Sequence, residues 1–308
     1  MNLLTNHMQP KITVIGSSNT DMICRVPSLP RPGETIMGSE FVTVQGGKGA
    51  NQAVAAARAG GNVTFIACVG NDAFGEQAIE AYQKEGIDTS CIRMIDDVAT
   101  GVALINVAES GENSISVAPG ANAHLTPETI DQYREVLLAS DILLLQLEIP
   151  IETVYHIAKI AHQAQIPVVL NPAPAIQLDQ DILKLFTLVT PNEHEASLLS
   201  GAWPEAKDER ESASAILAKG TQCVVVTLGS RGVYYLDNQQ KGVVEGVPMK
   251  AVDTTAAGDT FNGYLVVEMA RGRSLKEAIE KANQAAAVSV TKMGAQPSIP
   301  YLHELGDD

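Results

Sequence analysis

The chain has 308 residues, 45% of them apolar and only 4% aromatic, and 36 Asp and Glu against 21 Lys and Arg give a formal net charge of −15. This length suits one large or two fused globular domains, and the apolar content excludes a disordered chain. The acidic excess, with no run of five Lys or Arg, argues against nucleic acid or an anionic membrane surface as a partner. Anionic small substrates stay possible, because helix N-termini bind phosphate without a basic surface.

The start of the chain and its cysteines indicate a cytoplasmic protein. Residues 1–10 lack the basic cluster and apolar core of a signal peptide, and no stretch of about 18 apolar residues occurs anywhere. We predict a loose tail over residues 1–10. The cysteines show neither metal-site nor disulfide spacing, which fits a reducing compartment; they are Cys24, Cys68, Cys91 and Cys223.

Short apolar runs alternate with amphipathic segments along most of the chain. The predicted strands are Lys11–Ile15, Val63–Val69, Ile142–Leu145, Val168–Leu170, Leu188–Val189 and Val224–Thr227. The predicted helices are Asn51–Gly60, Ile151–Ala164, 181–186, Glu193–Ser200, Glu209–Lys219, Asp259–Arg271 and Ser274–Thr291. This alternation is typical of an α/β fold with a central, mostly parallel sheet flanked by helices.

Two regions break the alternation, because their predicted strands have no helices between them. The sequence predicts an extended segment over Glu34–Val44 and a hairpin formed by Thr100–Ala108 and Ser114–Ala118. A small separate β-sheet that acts as a lid fits this pattern, and so do two edge strands of the main sheet. The expected organisation is one α/β domain over residues 11–303, with lid strands inserted at about 16–45 and 98–120.

The segment 252–263 places small residues directly before a carboxylate at a predicted helix start. Across Ala256–Gly258 several backbone N–H groups can converge at the positive end of the helix, which builds an anion hole. Asp259, in the first turn, either accepts a proton from a substrate hydroxyl or only complements the helix dipole. The small residues favour a ligand, because a helix cap does not require close backbone approach.

A second glycine-rich loop, Gly46–Asn51, precedes another helix. It is not a Walker A loop, because positions 42 and 49 are Val and Gly, and it lacks the third glycine of a dinucleotide fingerprint. The glycines allow close approach to a small polyhydroxylated ligand, with Asn51 as a hydrogen-bonding group, or simply form a tight turn.

Polar groups follow four successive predicted strands. Glu148, Asn171, Asn192 and Thr227 should share one crevice, since ligands of open α/β sheets bind at the carboxyl ends of the strands. Asn192 and Glu195, three residues apart at a helix start, could hold a hydrated magnesium ion or could simply cap the helix.

Taken in order along the chain, these motifs resemble the ribokinase-like carbohydrate kinases, and the similarity extends from Lys11 to Tyr301. Its anchors are Gly46–Gln52, Asn171–Pro174, Thr190–Glu193, Thr227–Gly232, Asp253–Gly263 and Gly294–Ser298. The resemblance implies an enzyme that uses ATP to phosphorylate D-ribose at its 5-hydroxyl. Asp259 would be the general base, and Ala256, Ala257 and Gly258 would stabilise the transferring phosphoryl group.

The resemblance also implies three binding sets. The sugar set is Asn19, Thr20, Asp21, Gly47, Lys48, Gly49, Ala50, Asn51, Glu148 and Asp259. The nucleotide set is Asn192, Thr227, Leu228, Gly229, Ser230, Arg231, Gly232, Gly258 and Asn283. The metal sets are a potassium site, mostly of backbone oxygens, and a water-mediated magnesium contact: Asp253, Thr255, Ser289, Lys292, Gly294 and Ser298 for potassium, and Glu195 for magnesium.

The lid strands carry apolar residues on both faces, which predicts a homodimer formed through the lid, and the resemblance points the same way. Two rival functions stay open. One is a kinase of the same family that acts on another sugar or a nucleoside, against which the few aromatic residues count. The other is a catalytically silent sugar or nucleotide sensor, against which the intact Asp259 and its anion hole count.

Overall fold

The computed structural model describes residues 9–201 and 208–306. The strands in these residues are β1 (Lys11–Ile15), β2 (Asn19–Val26), β3 (Glu40–Gly46), β4 (Asn62–Gly70), β5 (Ile92–Ile95), β6 (Gly101–Ala108), β7 (Asn113–Ala118), β8 (Ile142–Leu145), β9 (Val168–Leu170), β10 (Leu188–Val189), β11 (Cys223–Thr227), β12 (Gly232–Asp237) and β13 (Lys241–Glu245). The helices are α1 (Lys48–Arg58), α2 (Ala73–Lys84), α3 (Pro127–Asp131), α4 (Arg134–Leu138), α5 (Ile151–Ala164), α6 (Gln180–Leu183), α7 (Glu193–Ser200), α8 (Glu209–Ala218), α9 (Ala257–Ala270) and α10 (Leu275–Ser289).

The main sheet has nine strands in the order β13-β12-β11-β10-β9-β8-β1-β4-β5. Its strands pair in parallel from β11 to β5, whereas β12 and β13 add an antiparallel hairpin at one edge. Strand β8 (ILLL) is buried at every position, as expected for a parallel strand with both faces covered. The predicted α/β architecture is confirmed.

Helices cover both faces of this sheet and create two cores. One core joins α1, α9 and α10 to the sheet, and it contains Phe65 and Tyr264. The other joins α5, α7 and α8 to the opposite face, and it contains Phe186. Each such fully buried side chain contributes about 1.5–3 kcal/mol of transfer free energy. The two cores fix the strand ends from which the loops of the site emerge.

The second sheet has four strands in the order β3-β2-β6-β7, so the separate-sheet interpretation is confirmed over the two-edge-strand alternative. The predicted extended segment Glu34–Val44 is a strand only from Glu40. The reason is the register: pairing between β2 and β3 ends at Arg25↔Glu40, so residues before Glu40 have no partner strand.

Several predicted helices have different bounds in the structure: α8, α9 and α10 differ from the prediction by one to two residues at an end, and two other differences are informative. The helix predicted at Asn51–Gly60 begins three residues earlier, at Lys48, because Gly47 supplies the positive φ of 88° that lets the chain turn into it. The helix predicted at 181–186 is only the four-residue α6. Residues 1–8 of the predicted tail lie outside the described residues. Within 9–201 and 208–306, no helix has the length and apolar character needed to cross a bilayer.

Candidate active site

Helix α9 begins at the carboxyl end of the main sheet in a form suited to an anion. Its N-cap, Ala256, has a left-handed conformation (φ 59°), which costs a non-glycine residue about 1–2 kcal/mol, and no side chain caps the helix. Of the donors predicted over Ala256–Gly258, the Ala257 N–H is taken by the Thr254 carbonyl at 3.3 Å. The backbone N–H groups of Gly258 and of the next residue, Asp259, donate to no acceptor within the described residues. A Cβ on Gly258 would meet none of the described atoms within 4 Å, so the space beside this residue is open.

Asp259 is 7% exposed and is held by two amides from the start of α1. Asn51 Nδ2 donates to Asp259 Oδ2 at 3.0 Å, and Gln52 Nε2 donates to Oδ1 at 2.9 Å. Since the Asn51 nitrogen faces a carboxylate, its Oδ1 faces away, and this buried oxygen has no partner among the described residues. The site therefore offers an oriented carboxylate beside an unused hydrogen-bond acceptor.

Glu148 joins the end of β8 to the start of α1. Its Oε2 accepts hydrogen bonds from Ser17 Oγ at 2.5 Å and from the backbone N–H of Lys48 at 3.0 Å. Backbone approach is very close here, because a Cβ on Gly49 would lie 2.5 Å from the backbone nitrogen of Ser17. The glycine-rich loop is thus packed directly against the end of β1, which explains why position 49 has no side chain.

Lys48 lies among four carboxylates. Burial alone would lower the pKa of its ammonium, but Asp259, Glu148, Glu195 and Asp21 together raise that pKa above its ordinary value. The ammonium therefore stays charged and is the positive counterpart of an otherwise acidic cleft.

Asp21 reaches the same cleft from β2 of the second sheet. Burial, followed by the charges of Glu148 and Asp259, raises the pKa of this carboxyl to about 7, while Lys48 opposes the shift. A Cβ on Gly46 would lie 2.2 Å from Asp21 Oδ2, so the glycine makes room for the carboxylate.

Asn19, two residues before Asp21, is oriented by a residue that the sequence did not indicate. Asn122 Oδ1 accepts the backbone N–H of Ser18 at 2.9 Å, so Asn122 Nδ2 is the group that donates to Asn19 Oδ1 at 2.7 Å. Asn19 is left with Nδ2 as its free donor group. Gly101 leaves space for this pair, since a Cβ there would lie 2.3 Å from both side chains.

Most of the residues predicted to bind the nucleotide lie just beyond the carboxyl ends of strands β10 and β11. Asn192 and Thr227 pair as an isolated parallel bridge, and the Leu228 backbone N–H donates to the Gly232 carbonyl at 2.8 Å. Gly229 and Gly232 both have positive φ, and Gly229 opens onto free space. The loop 227–232 therefore exposes backbone groups beside the cleft.

Glu195 caps its own helix. Its Oε2 accepts the backbone N–H of Asn192, and Asn192 Oδ1 accepts the backbone N–H of Glu195, both at 2.8 Å. The capping interpretation of this pair is confirmed. Burial raises the pKa of Glu195, partly offset by the Asn192 hydrogen bond and by the charge of Lys48, so this carboxyl also lies within electrostatic range of the cleft.

Asn283 lies away from the residues that the sequence predicts to be catalytic. Its Nδ2 donates to the Glu245 carbonyl at 2.8 Å, and it lines a groove of about 1,800 Å³ beside α10. That groove also contains Glu268 and Arg271, which pair with each other. None of the predicted catalytic or sugar residues lines it. One short segment nevertheless connects Asn283 to the 227–232 loop. The carbonyl that Asn283 binds belongs to Glu245. The next residue, Gly246, packs so closely against the loop that a Cβ there would lie 2.0 Å from the Ser230 carbonyl oxygen.

Three of the residues predicted to hold a monovalent cation, Asp253, Thr255 and Gly294, are joined by hydrogen bonds in and beside the loop that precedes α9. Asp253 Oδ1 accepts from the Thr255 backbone and hydroxyl at 2.9 and 2.6 Å, and Oδ2 accepts the Gly294 N–H at 2.8 Å. These hydrogen bonds hold the pKa of Asp253 below its usual value despite burial. The carbonyls of Thr255, Lys292 and Gly294 accept no hydrogen bond from the described residues, while the Lys292 ammonium pairs with Glu304 at 2.9 Å.

Ser289 and Ser298, the other two residues of this set, are fully buried. The uncommitted carbonyls are the kind of ligand that a weakly hydrated cation takes, so the residues fit such an ion. The described residues contain no group of three or more His, Cys, Asp or Glu side chains arranged for a metal ion.

Residues 9–302 match the model of the pfkB family carbohydrate kinases. The chain belongs to this family. A ribokinase of Haemophilus influenzae is 45% identical over 300 residues, which cover 96% of this chain and 97% of the relative. A structure of Arabidopsis thaliana ribokinase complexed with ribose and ATP has a TM-score of 0.90 and 32% identity, and it covers 98% of this chain and 100% of its own. A deoxyribokinase of Salmonella typhi is 36% identical over 298 residues, which cover 96% of this chain and 97% of the relative. The chain is a carbohydrate kinase.

Three polar residues of the site were not predicted from the sequence: Ser17, Gln52 and Asn122. Gln52 directly follows Asn51, and this adjacency was the one available signal. Ser17 and Asn122 gave none, because each acts on a residue distant in the chain, as Asn122 does on Asn19, 103 positions away.

Proposed function

We propose that this kinase transfers the γ-phosphoryl group of ATP to the 5-hydroxyl of D-ribose. The observation that carries the proposal is the cleft itself, where Asp259 lies at an open helix N-terminus and faces the polar groups of α1 and β2. The ribokinases of similar length and 38–45% identity support ribose as the sugar.

Asp259 is the base in this proposal. Its two oxygens each keep a lone pair beside the amide hydrogen bond that they accept, and one of them takes the proton of the 5-hydroxyl as the oxygen attacks phosphorus. Asn51 Oδ1 accepts a second sugar hydroxyl. Asn19 donates through Nδ2, while Asp21 and Glu148 accept, so donors and acceptors surround a polyol from three sides. Thr20, Gly47 and Ala50 supply the backbone around them.

The anion hole stabilises the phosphoryl group that moves. The N–H groups of Gly258 and Asp259, which have no acceptor among the described residues, lie at the positive end of α9 beside the open space at Gly258, and Lys48 adds a full charge. Phosphoryl transfer depends chiefly on positioning and on such electrostatic stabilisation. ATP lies along Asn192 and the 227–232 loop, with Asn283 behind them.

Two ions complete the proposal. A magnesium ion, bridged by water to Glu195, would neutralise charge on the nucleotide phosphates. A potassium ion, held by Asp253 and the carbonyls of its set, would stabilise the loop that precedes α9. The four unpaired cysteines support a cytoplasmic location.

We expect potassium to activate the enzyme, because the loop 253–256 leads directly to Ala256, whose strained conformation positions the anion hole. Sodium, which is smaller and more strongly hydrated, should replace it poorly. Initial rates measured with potassium, sodium and a large organic cation at matched ionic strength test this. Equal rates in all three would mean that the set holds no functional ion.

The second sheet acts as a lid and as the contact between two subunits of a homodimer. Phe41 and Leu104 on one face are 63% and 52% exposed, and Ile115 and Val117 on the face that Asp21 shares are 54% and 52% exposed. A sheet with apolar groups exposed on both faces needs a second surface to cover them. Sedimentation at micromolar concentration should show a dimer, and Leu104→Glu should weaken it. A monomer with full activity would contradict the proposal.

One coupled assay of ADP release across D-ribose, deoxyribose, fructose and adenosine tests the proposed substrate. Ribose should give the highest kcat/KM. Deoxyribose as the best substrate would favour the deoxyribokinase alternative, and adenosine would favour a nucleoside kinase. ATP binding without turnover of any of them would favour the sensor.

A further inference from the structure

Gln52 is fully buried, and the proposed reaction does not use it. Its Nε2 donates both to Asp259 Oδ1 at 2.9 Å and to Asn171 Oδ1 at 3.0 Å. Its Oε1 accepts from Nε2 of Gln146, also fully buried, at 2.6 Å. Because an ionised carboxylate only accepts hydrogen bonds, Asp259 fixes the amide orientation of Gln52, which in turn fixes that of Gln146.

The surroundings of this pair are built to hold it. A Cβ on Gly16 would lie 2.0 Å from Gln146 Oε1, so the glycine leaves the space that the amide fills. Asn171 is itself anchored, since its Nδ2 donates to the Thr190 carbonyl at 3.2 Å. The Gln52 side chain thus connects the Asp259 carboxylate to Gln146, which directly follows β8, and to Asn171, which directly follows β9.

We propose that Gln52 is a positioning residue for Asp259, aligned from behind by Gln146; the inference rests on the proposed role of Asp259 as base. With Asn51 on Oδ2 and Gln52 on Oδ1, each carboxylate oxygen accepts one amide N–H, and these two contacts set the rotation of the carboxylate plane. Without Gln52 the Asp259 carboxylate can rotate about its Cβ–Cγ bond. The lone pair that accepts the proton then no longer points at the sugar hydroxyl.

A substitution of Gln52 tests the alignment of the Asp259 carboxylate without changing the net charge of the cleft. The charged groups that interact electrostatically with Asp259 are Asp21 from β2, Lys48 from α1 and Glu195 from α7. Gln52 is neutral, so its removal leaves this charge balance unaltered.

The test is Gln52→Met, which keeps the volume but removes both donors and the acceptor. We expect kcat with ribose to fall about 10- to 100-fold, as misplacement of a reacting group does. KM for ribose should change much less, because the sugar contacts are intact. Gln146→Met should produce the same changes on a smaller scale.

Gln284→Met is the matched control. It removes one partly buried amide contact, from Nε2 to the Leu305 carbonyl, beside the C-terminal end of α9 and not its start, where Asp259 lies, so its kinetics should match wild type. A Gln52→Met enzyme with wild-type kcat would overturn the inference, and so would a fall in kcat accompanied by an equally large rise in KM for ribose, which would indicate general disruption of the site. If Gln52→Met does not fold, Gln146→Met decides by the same two criteria. Wild type is assayed alongside: if it phosphorylates no sugar, the proposed function fails, whereas an active wild type with an unaffected variant removes only the role of Gln52.

Discussion

Asp259→Asn should lose about 10²–10⁴-fold in kcat with ribose, the usual contribution of a general base. An amide of nearly the same shape cannot accept the proton of the 5-hydroxyl. ATP binding, measured by calorimetry, should be unchanged, because the anion-hole donors are backbone groups that the substitution leaves in place.

The surroundings of Asp259 add a second expectation for this variant. Both carboxylate oxygens accept amide donors, so the new amide nitrogen must face one of them, and the neighbour that can turn is Asn51. Turning Asn51 uses the oxygen that is otherwise free for the sugar, so KM for ribose should rise moderately. Asp131→Asn, on the exposed side of α3, is the matched control and should behave as wild type. An Asp259→Asn enzyme with near-normal kcat would remove Asp259 from the base role.

The main sheet was predictable because burial on both faces gives its strands uninterrupted apolar runs. Strand β8 is the clearest case, with four apolar residues that are all buried. Strand β2 lies within the range 16–45 predicted for lid strands, but its bounds were not predicted, since it mixes polar and apolar residues and directs Asn19 and Asp21 toward the cleft. A strand that serves a ligand site does not carry the pattern of a strand that serves a core. In the edge hairpin, β13 is mostly exposed and has no continuous apolar run, so its sequence carried little signal. Strand β12 is buried over Gly232–Tyr235, and its Val-Tyr-Tyr-Leu run was an available signal that was not assigned to a strand.

The site was predictable at its glycine-rich loops and at Asp259, where local sequence imposes local chemistry. Gln52 was not predictable, because its partners lie far along the chain: Gln146 at 94 positions, Asn171 at 119 and Asp259 at 207. Tertiary structure alone brings such groups together. For Asn192 and Glu195 the difficulty is local. The same three-residue spacing that could hold a magnesium ion also makes a complete capping box, so the local sequence does not distinguish a metal site from a helix cap.

Asp21→Asn should reduce kcat/KM for ribose about 10- to 100-fold, the loss expected when a charged acceptor of a substrate hydroxyl is replaced by a neutral one. Affinity for ATP should change little. In wild type, the pKa of about 7 means that Asp21 becomes protonated below that pH. The carboxyl then loses its charge and becomes a weaker hydrogen-bond acceptor, so KM for ribose should rise as the pH falls below 7. The variant should show a flatter dependence of KM on pH.

The same pKa makes Asp21 a source of instability in the enzyme without ligands. Its pKa in the folded state, about 7, lies above the ordinary value of 3.8, so the folded state holds the proton more tightly than the unfolded state. Stability from this group is therefore present below pH 4 and is lost as the pH rises toward 7. Asp21→Asn cannot ionise and escapes that loss, so its Tm should exceed that of wild type at pH 8, and the difference should shrink toward pH 4. A Tm difference independent of pH would show that burial near Glu148 and Asp259 does not perturb Asp21, and the carboxylate would then bind ribose without any cost to the empty enzyme.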